Sequence, residues 1–341
     1  MSGKAAVLGA GSWGTALATV LASNGSTVAL WSRNSDNVKT MTDTKYNPKY
    51  LPQVKLAPNI HPTNQLQEAV NGADTVLLAV PSQAVRELAH QLTTSIKQEQ
   101  LIIHATKGFE LPSLKRMSQV ISEELPTHRE EQIVILSGPS HAEEVAQKQP
   151  TTVVVASKEL KRAQRAQDVL INSYFRVYTN PDFIGVEIGG SLKNIIALGA
   201  GMSDGLGFGD NAKAALLTRG LAEITRLGKA MGAKSLTFAG MAGIGDLVVT
   251  CTSKHSRNWR AGYLLGQGKA LTDVLDQMGM VVEGVKTTQA AYALSERYDV
   301  DMPITHELYH VLFSGKNPQK AVEDLMGRGR THEMEDVVHG L

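Results

Sequence analysis

Three short clusters in this sequence combine side chains that move protons with side chains that bind anions. In Glu187-Ile188-Gly189-Gly190-Ser191-Leu192-Lys193-Asn194 a lysine follows paired glycines in an otherwise apolar helical pattern. Glycine in a helix costs about 1 kcal/mol relative to alanine, so two together suggest close approach by a cofactor or substrate. A lysine withdrawn from water beside another cation has its pKa lowered toward neutrality, which suits proton transfer to a carbonyl oxygen. The same side chain could instead snorkel from a packed helix to water. In Ala242-Gly243-Ile244-Gly245-Asp246-Leu247 one carboxylate is set among small and apolar residues, with Thr250 one turn further on. Asp246 can orient the lysine, accept a substrate hydroxyl or cap a helix. Ser256-Arg257-Asn258 opens a further helical pattern. Its arginine suits a bidentate phosphate contact and its serine and asparagine the remaining oxygens, while Ser256 also suits an ordinary N-cap. Reduction of a phosphorylated ketone needs these two functions, a proton donor at the carbonyl and a separate anion clamp.

A partner for such chemistry is indicated at the N-terminus. Ala5–Leu8 reads as a strand running into Gly9-Ala10-Gly11-Ser12-Trp13-Gly14, a G-x-G-x-x-G motif, followed by a helix-forming run through Ala22. Gly9 permits the tight turn, Gly11 lets backbone approach a pyrophosphate, and Gly14 lets the helix pack on the strand, with the helix N-terminus facing the phosphates. A dinucleotide is therefore expected. The second strand ends Leu30-Trp31-Ser32-Arg33-Asn34, without the acidic residue that would hold unphosphorylated ribose. Arg33 can pair with a 2′-phosphate and Ser32 can donate to it, which favours NADPH and leaves NADH possible. Arg33 as a plain surface arginine is the alternative.

The elements that must position these residues change character along the chain. Strand candidates are Ala5–Leu8, Thr27–Trp31, Thr75–Val80, Leu101–Thr106, Ile133–Leu136, Thr152–Ala156 and Phe175–Tyr178. With helical patterns between them, they predict a Rossmann-type, doubly wound and mostly parallel α/β sheet. After Asn180-Pro181 the pattern is helical, with candidates near 182–203, 210–231, 256–266, 283–298, 303–314 and 317–327. This predicts a dinucleotide-binding domain over 1–180 and an all-helical substrate domain over 181–341. The stretch between Asn34 and His61, with Pro48, Pro52 and Pro58 and with Pro62 directly after, reads as an extended excursion between strands. The tail from Gly327 reads as loosely held.

In a doubly wound sheet, ligands sit off the carboxyl ends of the strands. Thr106-Lys107-Gly108 and Ser137-Gly138-Pro139-Ser140-His141-Ala142 follow two of the predicted strands. Lys107 and Ser140 are thereby added to the candidates.

Composition narrows the partners. With 341 residues, 34 Lys and Arg against 33 Asp and Glu, and a net charge of +1, no global field draws the chain to nucleic acid or membrane. The single cysteine, Cys251, reads as packing, and the N-terminus enters a strand at once, so a cytoplasmic protein is expected. Apolar runs are interrupted short of the roughly 20 residues that span a bilayer, so no membrane insertion is expected. The apolar faces of the second half are compatible with a homodimer.

Taken together, the blocks Gly9–Ala18, Ala105–Gly108, Ser137–Glu144, Gly189–Asn194, Ala242–Leu247, Ser256–Asn258 and Val282–Gly284 closely resemble bacterial NAD(P)-dependent glycerol-3-phosphate dehydrogenases over nearly the whole chain. The resemblance implies a second domain like the C-terminal domain of 6-phosphogluconate dehydrogenase, and interconversion of dihydroxyacetone phosphate and sn-glycerol 3-phosphate for phospholipid synthesis. It implies Lys193 as general acid and base, with Lys107, Gly138, Ser140, Asp246, Ser256, Arg257 and Asn258 on the substrate. Ser12, Trp13, Arg33, Lys107, Ala142, Arg257, Val281 and Glu283 would contact NADPH.

Three rival readings exist. The hydroxyacid dehydrogenases of the 6-phosphogluconate and 3-hydroxyisobutyrate group carry asparagine four residues beyond their lysine, where this chain has Ala197. A non-catalytic cofactor-binding protein would have no use for Lys193, Asp246 and the Ser256–Asn258 cluster. Gly138–Ala142 falls one residue short of a hydrolase nucleophile elbow. No metal is expected, since His332-Glu333-Met334-Glu335-Asp336 has Asp where a zinc helix needs its second histidine.

Overall fold

The computed structural model describes residues 3–330. The first half contains strands β1 (Lys4–Leu8), β2 (Thr27–Trp31), β3 (Tyr46–Asn47), β4 (Leu51–Lys55), β5 (Ile60–Thr63), β6 (Thr75–Leu78), β7 (Leu101–His104), β8 (Val134–Ser137), β9 (Thr151–Ala156) and β10 (Phe175–Asn180). Eight of them form one sheet in the order β10-β9-β8-β7-β6-β1-β2-β5, and β3 pairs with β4 apart from it. Every neighbouring pair in the large sheet is parallel except β8 and β9. Side chains alternate across β1, with Ala5 and Val7 in one apolar core and Ala6 and Leu8 in another. Both faces are covered: α1 (Ser12–Ser23), α6 (Ala142–Ala146) and α7 (Leu160–Leu170) pack on one, and α3 (Leu66–Val70), α4 (Val85–Leu92) and α5 (Met117–Glu124) on the other. The chain leaves β1 toward β2 on one side and returns to β6 on the other. That reversal opens a crevice at the strand ends.

The excursion between the second and third expected strands is more ordered than its prolines suggest. It holds helix α2 (Ser35–Thr44), whose N-cap Asn34 accepts from the Asn37 amide, then the β3–β4 pair and then β5. Pro62 stands opposite Leu30 in β5, which is tolerated because β5 is an edge strand and need not donate on its outer side.

From Phe183 to Met326 the chain is helical: α8 (Phe183–Gly205), α9 (Asp210–Ala230), α10 (Asp246–Thr252), α11 (Arg257–Gly266), α12 (Leu271–Met278), α13 (Glu283–Tyr298), α14 (Pro303–Phe313) and α15 (Pro318–Met326). The Asp182 side chain caps α8, accepting from the Gly185 amide and from Lys234 and Thr237. Helix α8 is long and apolar enough to cross a membrane, contrary to the expectation from interrupted runs, but 94% of its most apolar window is buried inside the protein. It is the central helix of the second core. Its approach to α11 requires glycine: a Cβ on Gly201 would lie 1.9 Å from the Trp259 carbonyl oxygen, and one on Gly262 would lie 1.9 Å from that of Leu198. This backbone-to-backbone contact brings the start of α11, with Arg257 and Asn258, beside Lys193 and Asn194. The expected tail begins at Gly327, just after α15, while its Gly340 and the His332–Asp336 segment lie outside the described residues.

Candidate active site

A cleft of about 790 Å³ runs along the strand ends between the sheet and the helical half. One end is walled by the glycine turn, Trp13, Ser32, Arg33 and Tyr50, the other by Lys107, Ser140, Lys193, Asp246, Asn258 and Glu283. The turn has the form that a pyrophosphate site needs. Gly9 has φ +118°, and a Cβ there would lie 2.5 Å from the Ala79 carbonyl oxygen. A Cβ on Gly14 would lie 1.8 Å from the Gly9 carbonyl oxygen, so α1 can pack this tightly only with glycine. Gly11 has open space where its Cβ would be and stands at the start of α1 with no side-chain cap among the described residues. Ser12 donates to the Tyr50 carbonyl at 2.7 Å, holding the loop between β3 and β4 beside the turn.

At the other end, Lys193 and Asp246 are both buried, and Lys193 Nζ lies 2.5 Å from Asp246 Oδ1 and 2.8 Å from Thr250 Oγ1. Lys107 Nζ donates to Ser137 Oγ at 3.0 Å and approaches Asp246 Oδ2 at 3.3 Å. One carboxylate thus faces two ammonium groups. Burial, together with the charge on Lys107, lowers the Lys193 pKa to about 8, although Asp246 pulls in the opposite direction. Burial works against the charge of Asp246, but the two lysines outweigh it and hold its carboxyl below the ordinary range. Lys193 therefore does not snorkel to water, and Asp246 is no cap, since Gly245 takes that position.

The paired glycines serve the protein's own packing. A Cβ on Gly189 would meet the Ala242 carbonyl oxygen at 2.5 Å, and one on Gly190 would meet Ser137 Oγ at 2.4 Å and Lys107 Nζ at 3.2 Å. The close approach expected of a cofactor or substrate is made instead by Ala242 and by Ser137, with the Lys107 ammonium alongside.

The remaining candidates surround this pair. Ser256 caps α11 by accepting from the Trp259 amide at 3.2 Å. Arg257 extends along the cleft to the Val281 carbonyl, 3.2 Å away. Asn258 donates to Asn194 Oδ1 at 2.9 Å and accepts from the Gly284 amide at 2.8 Å. Glu283 is held by Ser82 Oγ at 3.1 Å, and burial raises the pKa of its carboxyl. Ala142 and Val281 line the wall, whereas Gly138, with φ +124°, lies one layer back against Val153, its carbonyl accepting from Ser140 Oγ at 2.8 Å. That bond occupies the proton of Ser140, and His141 turns toward the Val249 carbonyl, so no nucleophile elbow forms. Sequence reasoning passed over Asn194, Ser137, Ser82 and Tyr50. Asn194, next to the lysine, and Ser137, at the head of a strand-end loop, carried a signal; Ser82 and Tyr50 carried none.

Beneath the site a second ionic group pins α8 to the first half. Glu187 accepts from Arg116 Nη1 at 2.7 Å and from the Ser118 amide and hydroxyl, with His104 Nε2 3.3 Å away. His104 stands three residues before Lys107, and Glu187 six before Lys193, so this group sets both lysines from below.

Two family models cover this architecture. Residues 4–163 match the NAD-dependent glycerol-3-phosphate dehydrogenase N-terminus and residues 182–323 the C-terminus of the same enzyme. The chain belongs to the NAD-dependent glycerol-3-phosphate dehydrogenase family. Among its relatives, the glycerol-3-phosphate dehydrogenase [NAD(P)+] of Bacillus subtilis (strain 168) is 57% identical over 336 residues, covering 98% of this chain and 97% of that one. That of Geobacillus thermodenitrificans is 58% identical over 334 residues, with the same coverage. The crystal structure of glycerol-3-phosphate dehydrogenase from Coxiella burnetii superposes with a TM-score of 0.91 at 40% identity, covering 96% of this chain and 99% of that one. In this family member the N-terminal model spans the glycine turn and Lys107, and the C-terminal model spans Lys193, Asp246 and Arg257. The cleft is the seam between the two.

Proposed function

We propose that this chain reduces dihydroxyacetone phosphate to sn-glycerol 3-phosphate, reversibly, with NADPH preferred over NADH, and that Lys193 moves the proton. The observation that carries this reading is the buried Lys193–Asp246 pair at one end of a cleft whose other end is the glycine turn. A bound reduced nicotinamide supplies the hydride. Lys193, as an ammonium, donates a proton to the oxygen of the ketone being reduced, and as a free amine accepts it in the oxidation. Asp246 holds Lys193 in place and compensates its charge in the dry interior. Lys107 adds positive potential where negative charge develops on that oxygen, and adds to the effect of burial in lowering the pKa of Lys193.

Arg257 offers the fork for the substrate phosphate, with Ser256, Asn258, Ser140 and the Gly138 turn around it. Gly9, Gly11 and Gly14 shape the pyrophosphate turn. Ser12, Trp13 and Arg33 bound the adenosine end, and Ala142, Val281 and Glu283 line the wall beyond. Arg33 and Ser32, at the end of β2, would select the 2′-phosphate of NADPH. We divide the chain after Asn180, between β10 and α8, into a cofactor domain and a substrate domain. The product is the backbone of glycerophospholipids, and its synthesis from soluble precursors would occur in the cytoplasm.

The test is oxidation of NADPH, followed by absorbance, on adding dihydroxyacetone phosphate, with unphosphorylated dihydroxyacetone in parallel. Turnover of the phosphorylated ketone alone supports both the reaction and the phosphate clamp. Silence with both, despite NADPH binding, would mean that the substrate is misassigned.

A further inference from the structure

The two halves of the chain touch across the reaction end of the cleft through a contact that the chemistry above does not use. Ser82, two residues beyond the expected end of β6 and only 2% exposed, donates through Oγ to Glu283 Oε2 at 3.1 Å, 201 positions away. The direction of that bond is set from behind. Gln83 Nε2 donates to Ser82 Oγ at 3.3 Å and to the Phe109 carbonyl at 2.8 Å, while its Oε1 accepts from the Leu111 amide. With its oxygen already accepting, the Ser82 hydroxyl is left to point its proton at Glu283.

Glu283 stands at the first position of α13, where a carboxylate is favoured by the helix dipole. Its place along the cleft is fixed by its neighbours. The next residue, Gly284, donates to Asn258, Asn258 donates to Asn194, and Asn194 follows Lys193. On the other side, Gly108 follows Lys107, and a Cβ at Gly108 would lie 3.1 Å from Ser82 Oγ and 3.5 Å from Glu283 Oε2. Ser82 and Glu283 thus close a ring of contacts around the proton-transferring lysine, at the end of the cleft opposite Arg33.

We infer that Ser82 is a positioning residue: by holding one oxygen of Glu283, it turns the carboxyl so that the other accepts the amide N–H of the cofactor's nicotinamide carboxamide, which sets how the ring presents its hydride. The inference rests on the reading of this cleft as a nicotinamide-cofactor site. The carboxamide is the chemistry that fits, since it is the N–H donor at the reacting end of the dinucleotide, and Glu283 lines the cleft as a buried carboxyl that can accept from it. Arg257 is the charge that acts on this carboxyl, and the Ser82 backbone N–H, which every variant below keeps, also donates to it.

The experiment measures binding by calorimetry of two probes, NADPH and adenosine 2′,5′-bisphosphate, which keeps the 2′-phosphate end and lacks the nicotinamide. The proteins are wild type, Ser82→Ala and Ser82→Thr. Losing one hydrogen bond that orients the carboxyl should weaken NADPH by roughly three- to tenfold in Ser82→Ala. Adenosine bisphosphate should bind all three proteins alike, and Ser82→Thr, which keeps the hydroxyl, should recover most of the NADPH affinity. A loss equal for both probes, or no loss for either, overturns the inference. Wild-type protein that binds NADPH but turns over no ketone phosphate would count against the proposed reaction and leave this comparison standing.

Discussion

Lys193 donates to Asp246 across 2.5 Å, from a helix that begins at Phe183 to one that begins at Asp246 itself. Two opposite charges buried together are costly to desolvate, and the geometry repays that cost only when further partners satisfy them. Here Thr250 and Lys107 do so. The result is an ammonium poised to lose its proton near neutral pH.

The pH dependence follows directly. Reduction needs Lys193 protonated, and its pKa is lowered to about 8 by burial. The kcat/KM for ketone reduction should therefore be flat through neutral pH and fall above about 8, while that for glycerol 3-phosphate oxidation should rise through the same region. Asp246, held below the ordinary range by the two lysines, adds no loss until well into the acid. Rate profiles in both directions that show no limb between pH 7 and 9 would remove Lys193 from the proton path.

Arg33 is exposed at the adenosine end of the cleft and offers a charge-assisted contact to a 2′-phosphate. Such a bond contributes about 1.5–3 kcal/mol, so Arg33→Ala should lower the kcat/KM ratio of NADPH to NADH by roughly ten- to a hundredfold. Steady-state rates with both cofactors decide it. An unchanged ratio would leave Arg33 as an ordinary surface side chain.

Glu187 should matter for stability more than for chemistry. Burial opposes its charge, but Arg116, His104 and Ser118 hold its carboxyl down to about 2. A carboxylate whose pKa is depressed on folding stabilises the protein above its unfolded pKa, and that contribution is lost as the pH falls through the folded value. Glu187→Gln should therefore cost about 3 kcal/mol at pH 7, and the gap to wild type should narrow as the pH falls below about 4.5. Denaturant titrations at several pH values measure this; a gap that does not depend on pH would mean that packing, not charge, is what the glutamate provides.

How far the sequence reveals this arrangement depends on the kind of signal. The glycine turn and the long helices are legible because each carries a recognisable pattern: Gly14 is required by the Gly9 carbonyl five residues away, although Gly9 itself is required by Ala79 beyond β6, and α13 begins and ends at the expected residues. Helix α2 escapes notice because it is polar, with Met41 its one buried residue. Strand β5 is masked by Pro62, which only an edge position makes acceptable. The site residues that matter most to one another are far apart in sequence. Lys193, Asp246 and Lys107 can each be picked out by type and setting, but nothing local says that one carboxylate serves both lysines. The glycine pair shows the same limit: Gly189 and Gly190 do signal a close approach, and only the fold shows that Ala242 and Ser137 make it.

The most direct measurement is single-site and kinetic: Lys193→Ala, with turnover of dihydroxyacetone phosphate and the Kd for NADPH determined on the same preparation. General acid catalysis of this kind is worth about 10²- to 10⁴-fold, so kcat should fall by that factor while the Kd for NADPH stays within about twofold of wild type. Turnover near the wild-type rate would contradict the account, because no proton donor at that carbonyl would then be assigned to Lys193.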